Sequence, residues 1–320
     1  MPKQAAAVPP DDADHDRSRA VRRVIIVTLW LNLAVAVAKI AYGHSVHALS
    51  IRADGFHSLT DSTNNLVGLA GVWIAGRPAD AGHPYGHHKF EVLAAGVVGL
   101  SLLAMAYDVA RGAIERLHGA ALVVPEIGPA AFAVLAGTLL VNVVVARWER
   151  RRGLELDSVF LQGDALHTSS DVLVTVGVLA SVAVVRLGWP VVDVFAAIGI
   201  AGFIAWAGIG VLRTNLAYLA DAARLDPEAI VGVARGVPGV ASAHKVRTRG
   251  APGSIYVDLH IQIAPHLDVV AAHRVTHWVI DAIKGGFSGV RDVLVHTEPA
   301  APGQPYTPLP PGGSAGSNER

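Results

Sequence analysis

Two stretches of this 320-residue chain carry ionisable side chains inside otherwise apolar surroundings. Residues 53–61 contain Asp54, His57 and Asp61, and residues 163–171 contain Asp164, His167 and Asp171. The offsets agree: three residues from Asp to His, then four to the next Asp. Residues four apart share one face of a helix. Each stretch therefore presents an imidazole and a carboxylate to the same side, and Asn64 and Asn65 extend the polar face of the first by one turn.

An ionisable group near the centre of a bilayer costs on the order of 3 kcal/mol even on the lenient insertion scale. Such groups are tolerated when they face one another or water. Two helices that each offer an imidazole nitrogen and a carboxylate oxygen complete a four-ligand tetrahedral site, a geometry zinc accepts. Without thiolates the site holds zinc less permanently than a cysteine cage, which suits release. An interhelical hydrogen bond would account for one His–Asp pair. The same triplet on two segments calls for a shared ion. Asp54 and Asp164 fit a supporting or gating role better than a ligand role.

These side chains need membrane-length elements to hold them. Hydrophobic residues make up 52% of the chain and charged residues only 16%, where a soluble domain is about a quarter charged. Spanning a bilayer takes roughly 20 apolar residues. Six segments qualify: 24–42, 46–75, 92–117, 127–148, 159–187 and 190–219. The second and fifth carry the two triplets. Gly and Ala recur within the segments, as expected where membrane helices pack closely. Zero cysteine excludes disulfides, thiolate metal sites and cysteine nucleophiles. A net charge of zero leaves no electrostatic footprint for nucleic acid.

Lysine and arginine set the orientation. Lys3, Arg17, Arg19, Arg22, Arg23, Arg77, Lys89, Arg147, Arg150, Arg151, Arg152 and Arg213 fall on one side, against Arg111, Arg116 and Arg186 on the other. The first side is therefore expected to be cytoplasmic, with both termini there. Past Asp221 the pattern becomes that of a small α+β domain: a helix over 227–235 opened by Asp226, strands over 240–248 and 255–263, a helix over 267–283, and a last strand over 290–296. The expected organisation is a disordered tail over 1–20, a six-span transmembrane domain over 21–220, a cytoplasmic domain over 221–299, and a Pro/Gly/Ser-rich disordered tail over 300–320. Between the second and third segments, residues 80–91 hold three histidines and two acids, with His88 and Glu91 as additional ligand candidates.

On these motifs the sequence resembles the cation diffusion facilitator family, whose pattern is six spans, an H/DxxxD pair in the second, HxxxD in the fifth, and a cytoplasmic αββαβ domain of metallochaperone, ferredoxin-like type. The matching pairs here are His57/Asp61 and His167/Asp171. The resemblance implies a homodimer in the cell membrane that exports divalent metal from the cytoplasm in exchange for protons. Histidine in both pairs is most similar to the zinc exporters, with Fe²⁺, Mn²⁺, Co²⁺ and Cd²⁺ as alternatives. It further implies a loop metal site at Asp80, His83 and His87, and a charge pair, Lys89 with Asp221, linking membrane and cytoplasmic parts. His244, His260, His273, His296 and Glu298 match positions that hold zinc between two cytoplasmic domains. Zn²⁺ is then both cargo and regulatory ligand.

Two other classes were weighed. A membrane metalloenzyme needs a metal-activated water and a general base, but HExxH is absent and the paired motifs leave no open position. A metal sensor that moves no ions does not need ligands at mid-membrane.

Overall fold

The computed structural model describes residues 12–45, 49–118, 129–186 and 190–309. Six long helices come first: α1 (Asp12–Ser45), α2 (Leu49–Ala75), α3 (Lys89–Leu117), α4 (Pro129–Glu155), α5 (Val159–Arg186) and α6 (Pro190–Leu219). They are followed by α7 (Pro227–Arg235), β1 (Val240–Ala251), β2 (Ser254–Ile263), α8 (Val269–Gly286) and β3 (Val290–Pro299). The chain forms two compact units that divide between Ala217 and Tyr218.

In the helical unit, Asp16–Ser45, Lys89–Leu117, Phe132–Glu155 and Val194–Leu219 are long and apolar enough to cross a membrane. Helices α2 and α5 have the length, at 27 and 28 residues, but interrupt their apolar surface with the Asp–His–Asp triplets. Large apolar side chains point outward from the bundle, among them Trp30, Leu100, Tyr107, Leu140, Phe195 and Trp206. A water-facing bundle would hide such groups; a lipid-facing one need not. Inside, Val21 and Ile25 of α1 pack with Val72 of α2, Ala95 and Val98 of α3, and Phe160 and Leu161 of α5. Gly68 of α2 makes this possible: a Cβ there would run into the Phe160 ring. A second cluster joins Leu102 and Met105 of α3 to Ile204 and Val211 of α6.

Helix α1 begins at Asp12 rather than after residue 20, so the expected N-terminal tail is helical over its second part. The reason is a set of bonds from Arg17. Its guanidinium pairs with the buried Glu91 of α3 at 3.1 Å and donates to the carbonyls of Leu156 and Asp157 in the α4–α5 turn. Ser158 donates to the same Glu91 carboxylate at 2.6 Å.

The second unit is a three-stranded sheet in the order β1-β2-β3, with β1–β2 antiparallel and β2–β3 parallel. The alternation expected for β2 is realised. Ile255, Val257, Leu259, Ile261 and Ile263 are buried with Ile230 of α7 and Val275, Val279 and Ile283 of α8. Asp226 caps α7, accepting from the Glu228 amide at 3.1 Å, with Pro227 at the first turn. Residues 300–309 also depart from expectation. The Gly239 amide donates to the Thr307 carbonyl at 2.7 Å and Leu309 packs on the core, so the proline-rich segment is held against the domain. Residues 1–11 and 310–320 of the two expected tails lie outside the described residues.

Candidate metal sites

Helix α5 carries the first site. Its interior positions are kept polar by the triplet, and Asp164 and His167 are buried while Asp171 is half-buried. His167 Nε2 lies 3.9 Å from Asp171 Oδ2, as one helical turn dictates. Both line a small cavity of about 20 Å³, with Asp164 and Thr168 of α5, Asn32 and Val35 of α1, Ser58 of α2 and Asn142 of α4. His57 and Asp61 belong to α2, one residue before Ser58 and three after it. Their side chains lie outside the described residues.

Two charged residues near this cavity escaped the sequence reading. Lys39 of α1 is buried and donates to Ser58 Oγ at 3.1 Å. Glu149 of α4 is fully buried and accepts from Thr168 Oγ1 at 3.4 Å, with the Asp164 carboxyl close by. Lys39 interrupts an apolar run, the same kind of signal that singled out His57 and His167. Glu149 sits in the string Arg147-Trp148-Glu149-Arg150, whose arginines mark a boundary and mask it.

The loop between α2 and α3 holds the second site. Asp80 Oδ1 accepts the amides of Gly82 (2.9 Å) and His83 (2.7 Å), which folds the loop back on itself. His83 Nδ1 is 3.5 Å and His87 Nε2 3.4 Å from the Asp80 carboxylate. The His83 and His87 rings are 4.3 Å apart, and the buried His87 is oriented through Nδ1 by the Pro78 carbonyl at 3.1 Å. The His83 amide does most to hold the Asp80 carboxyl below its ordinary range, helped by Gly82 and the two imidazoles. One ligand atom from each of the three residues falls within a 4.8 Å span. Glu91 does not take part. It is occupied by Arg17 and Ser158.

The third site is on the open face of the sheet. Strand register places His244 opposite His260 and His260 opposite His296. Glu298 bridges the group, with Oε1 2.8 Å from His260 Nδ1 and Oε2 3.2 Å from His244 Nε2. The His296 ring lies 4.6 Å from that of His260. The His260 hydrogen bond lowers the Glu298 carboxyl from its ordinary value, with His244 and Lys245 adding to it. His273 is apart from this group, on the exposed side of α8, where its ring meets that of His277 at 4.5 Å.

Lys89 is exposed at the start of α3, and Asp221 is exposed two residues beyond α6 in left-handed backbone (φ 56°). They belong to different units.

Residues 25–220 match the cation efflux transmembrane domain family, and residues 223–300 match the cation efflux protein cytoplasmic domain family. The chain belongs to the cation diffusion facilitator family. Over 289 residues it is 30% identical to an uncharacterized transporter of Methanocaldococcus jannaschii, covering 88% of this chain and 99% of that protein. Metal tolerance protein 2 of Oryza sativa subsp. japonica is 30% identical over 87% of this chain and 78% of its own length. The cation-efflux pump FieF of Cronobacter sakazakii is 29% identical over 90% of this chain and 96% of its own. The chain is thus a cation efflux transporter of the membrane rather than an enzyme.

Proposed function

We propose that this transporter exports divalent metal, Zn²⁺ foremost, from the cytoplasm in exchange for protons, working as a homodimer by alternating access in the cell membrane with both termini inside. His57, Asp61, His167 and Asp171 form the transport site. The observation that carries this reading is the pairing of His167 with Asp171 beside a small, mainly polar cavity that α2 also lines through Ser58.

A divalent ion cannot enter hydrocarbon with its hydration removed and nothing in return. The proposed quartet of His57, Asp61, His167 and Asp171 supplies that return with two imidazole nitrogens and two carboxylate oxygens, a donor set suited to zinc. Iron, manganese, cobalt and cadmium remain the other cargoes that nitrogen and oxygen donors serve. Rocking of the helices exposes the site to the other side. Protons arriving there compete for the same ligands, histidine being the group whose ordinary titration lies nearest neutral pH. Each unit of pH difference supplies about 1.4 kcal/mol per proton exchanged.

The loop trio Asp80, His83 and His87 is proposed as an exchangeable entry site. The sheet cluster of His244, His260, His296 and Glu298 is proposed as the regulatory zinc site. His273 joins it only when a second copy brings α8 alongside, which is one reason to expect a dimer. Lys89 and Asp221 form the charge pair between the two parts.

The test is transport by the purified protein in liposomes. With Zn²⁺ outside and a pH dye inside, zinc uptake should be matched by proton movement in the opposite direction, and a panel of Fe²⁺, Mn²⁺, Co²⁺ and Cd²⁺ ranks the cargoes. Zinc uptake with no proton counterflow would remove the exchange mechanism. No uptake of any divalent ion by folded protein would remove the function.

A further inference from the structure

Lys39 is the buried cation of the membrane-crossing stretch Asp16–Ser45, and it is only 5% exposed. A lysine in a membrane helix ordinarily extends its chain to reach the water interface. Lys39 does not. Its ammonium turns to α2 and donates to Ser58 Oγ at 3.1 Å. Helices α1 and α2 approach each other closely at this level. A Cβ added at Gly55 of α2 would stand 2.6 Å from Ile40 and 3.1 Å from the Lys39 Cβ. Ser58 in turn lines the cavity that holds Asp164, His167 and Asp171, and it directly follows His57. A positive charge is therefore held behind the cavity wall, bonded to the Ser58 hydroxyl that lines it.

We infer that Lys39 is a resident cation of the transport site, which offsets the carboxylates when cargo is absent and repels the incoming dication so that it is bound loosely enough to leave. This inference rests on the reading that His57, Asp61, His167 and Asp171 hold the cargo. Unit charges in a poorly solvated interior act on one another over several ångströms with little screening. Transport requires release as much as capture, so a site built only of donors would trap zinc. Lys39 lowers affinity and raises turnover, with no need for it to touch the ion.

The experiment uses the full-length protein with the other two sites disabled by His83→Ala and His260→Ala. Zinc affinity is measured by calorimetry, and the saturated zinc flux is measured in liposomes. Lys39→Met and Lys39→Gln both remove the charge, and the glutamine keeps a donor for Ser58. Both should bind zinc about tenfold or more tightly and carry it at a correspondingly lower maximal rate. Lys39→Arg, which keeps the charge, should stay near the parent in both measurements. A purely structural lysine predicts a different pattern: lower thermal stability, with zinc affinity unchanged or weakened in both neutral variants. That pattern overturns the inference, as does a charge-free variant that binds no more tightly yet transports at the parent rate. Asp171→Ala in the same background separates the two claims. If it abolishes zinc binding while Lys39→Gln changes nothing, only the role of Lys39 fails. If Asp171→Ala leaves binding and flux intact, the transport site itself is misassigned.

Discussion

The His–Asp pair on α5 lines a small cavity together with α1, α2 and α4 and stands 3.9 Å apart, whereas the cluster on the sheet is open to one side and drawn together to 2.8 Å. Both use imidazole and carboxylate. They differ in what holds the donors before an ion arrives. On the sheet, strand register fixes His244, His260 and His296 in a row, and Glu298 already spends its oxygens on two of them. An ion entering there replaces existing bonds and is reached directly from water, which suits a site that reads concentration. On α5 the two side chains share a helical turn at 3.9 Å, beside a small cavity lined by three other helices. That suits a site that carries. The loop trio lies between these extremes, its carboxylate fixed by backbone amides and its His83 exposed.

The contrast is open to attack by mutation. The largest effect belongs to Asp171→Ala, for which zinc flux into liposomes should fall to background while the sheet site still binds zinc. Retained flux would mean the two sites have been given the wrong jobs. His260→Ala should do the reverse, weakening zinc binding to the C-terminal domain by more than about 100-fold in calorimetry while maximal flux at saturating zinc is kept. Smaller again is Gly68→Ala, which drives a methyl into the Phe160 ring. It should cost about 1–3 kcal/mol of stability, read as a lower unfolding temperature with the sheet site untouched. The smallest effect concerns acid. The Glu298 carboxyl titrates below its ordinary 4.5 in the folded protein. Its stabilising contribution is complete above that value and is lost as pH falls through the lowered one. Glu298→Gln should therefore flatten the metal-free stability curve below about pH 4.5, measured by denaturant titration, and leave it parallel to the parent at neutral pH.

Much of this was legible in the sequence because periodicity reports on faces. The i, i+4 spacing of His167 and Asp171 put them on one side of a helix, and the alternation along Ile255–Ile263 told core face from open face. What joins strands is not periodic. Nothing in the string indicates that Glu298, in register with Gln262, reaches diagonally to His260 and His244. Lys39 and Glu149 were missed for another reason. Each is a single charge without the repeated spacing that marked the two triplets, and the arginines around Glu149 hid it at a boundary. Only the described parts of the tails, residues 12–20 and 300–309, depart from what composition suggested. Proline and glycine read as disorder over 300–309, yet one backbone bond from Gly239 and the side chain of Leu309 suffice to lay the segment down.

The tie between Arg17, Glu91 and Ser158 bears on how the bundle can move. It fastens the beginning of α1, the first turn of α3 and the turn that launches α5 to a single buried carboxylate. Stranding that carboxylate without its cation would cost about 3–5 kcal/mol, a steep toll at every turnover. Under the alternating access proposed above, a stroke that keeps the knot tied would move the start of α1, the first turn of α3 and the α4–α5 turn together.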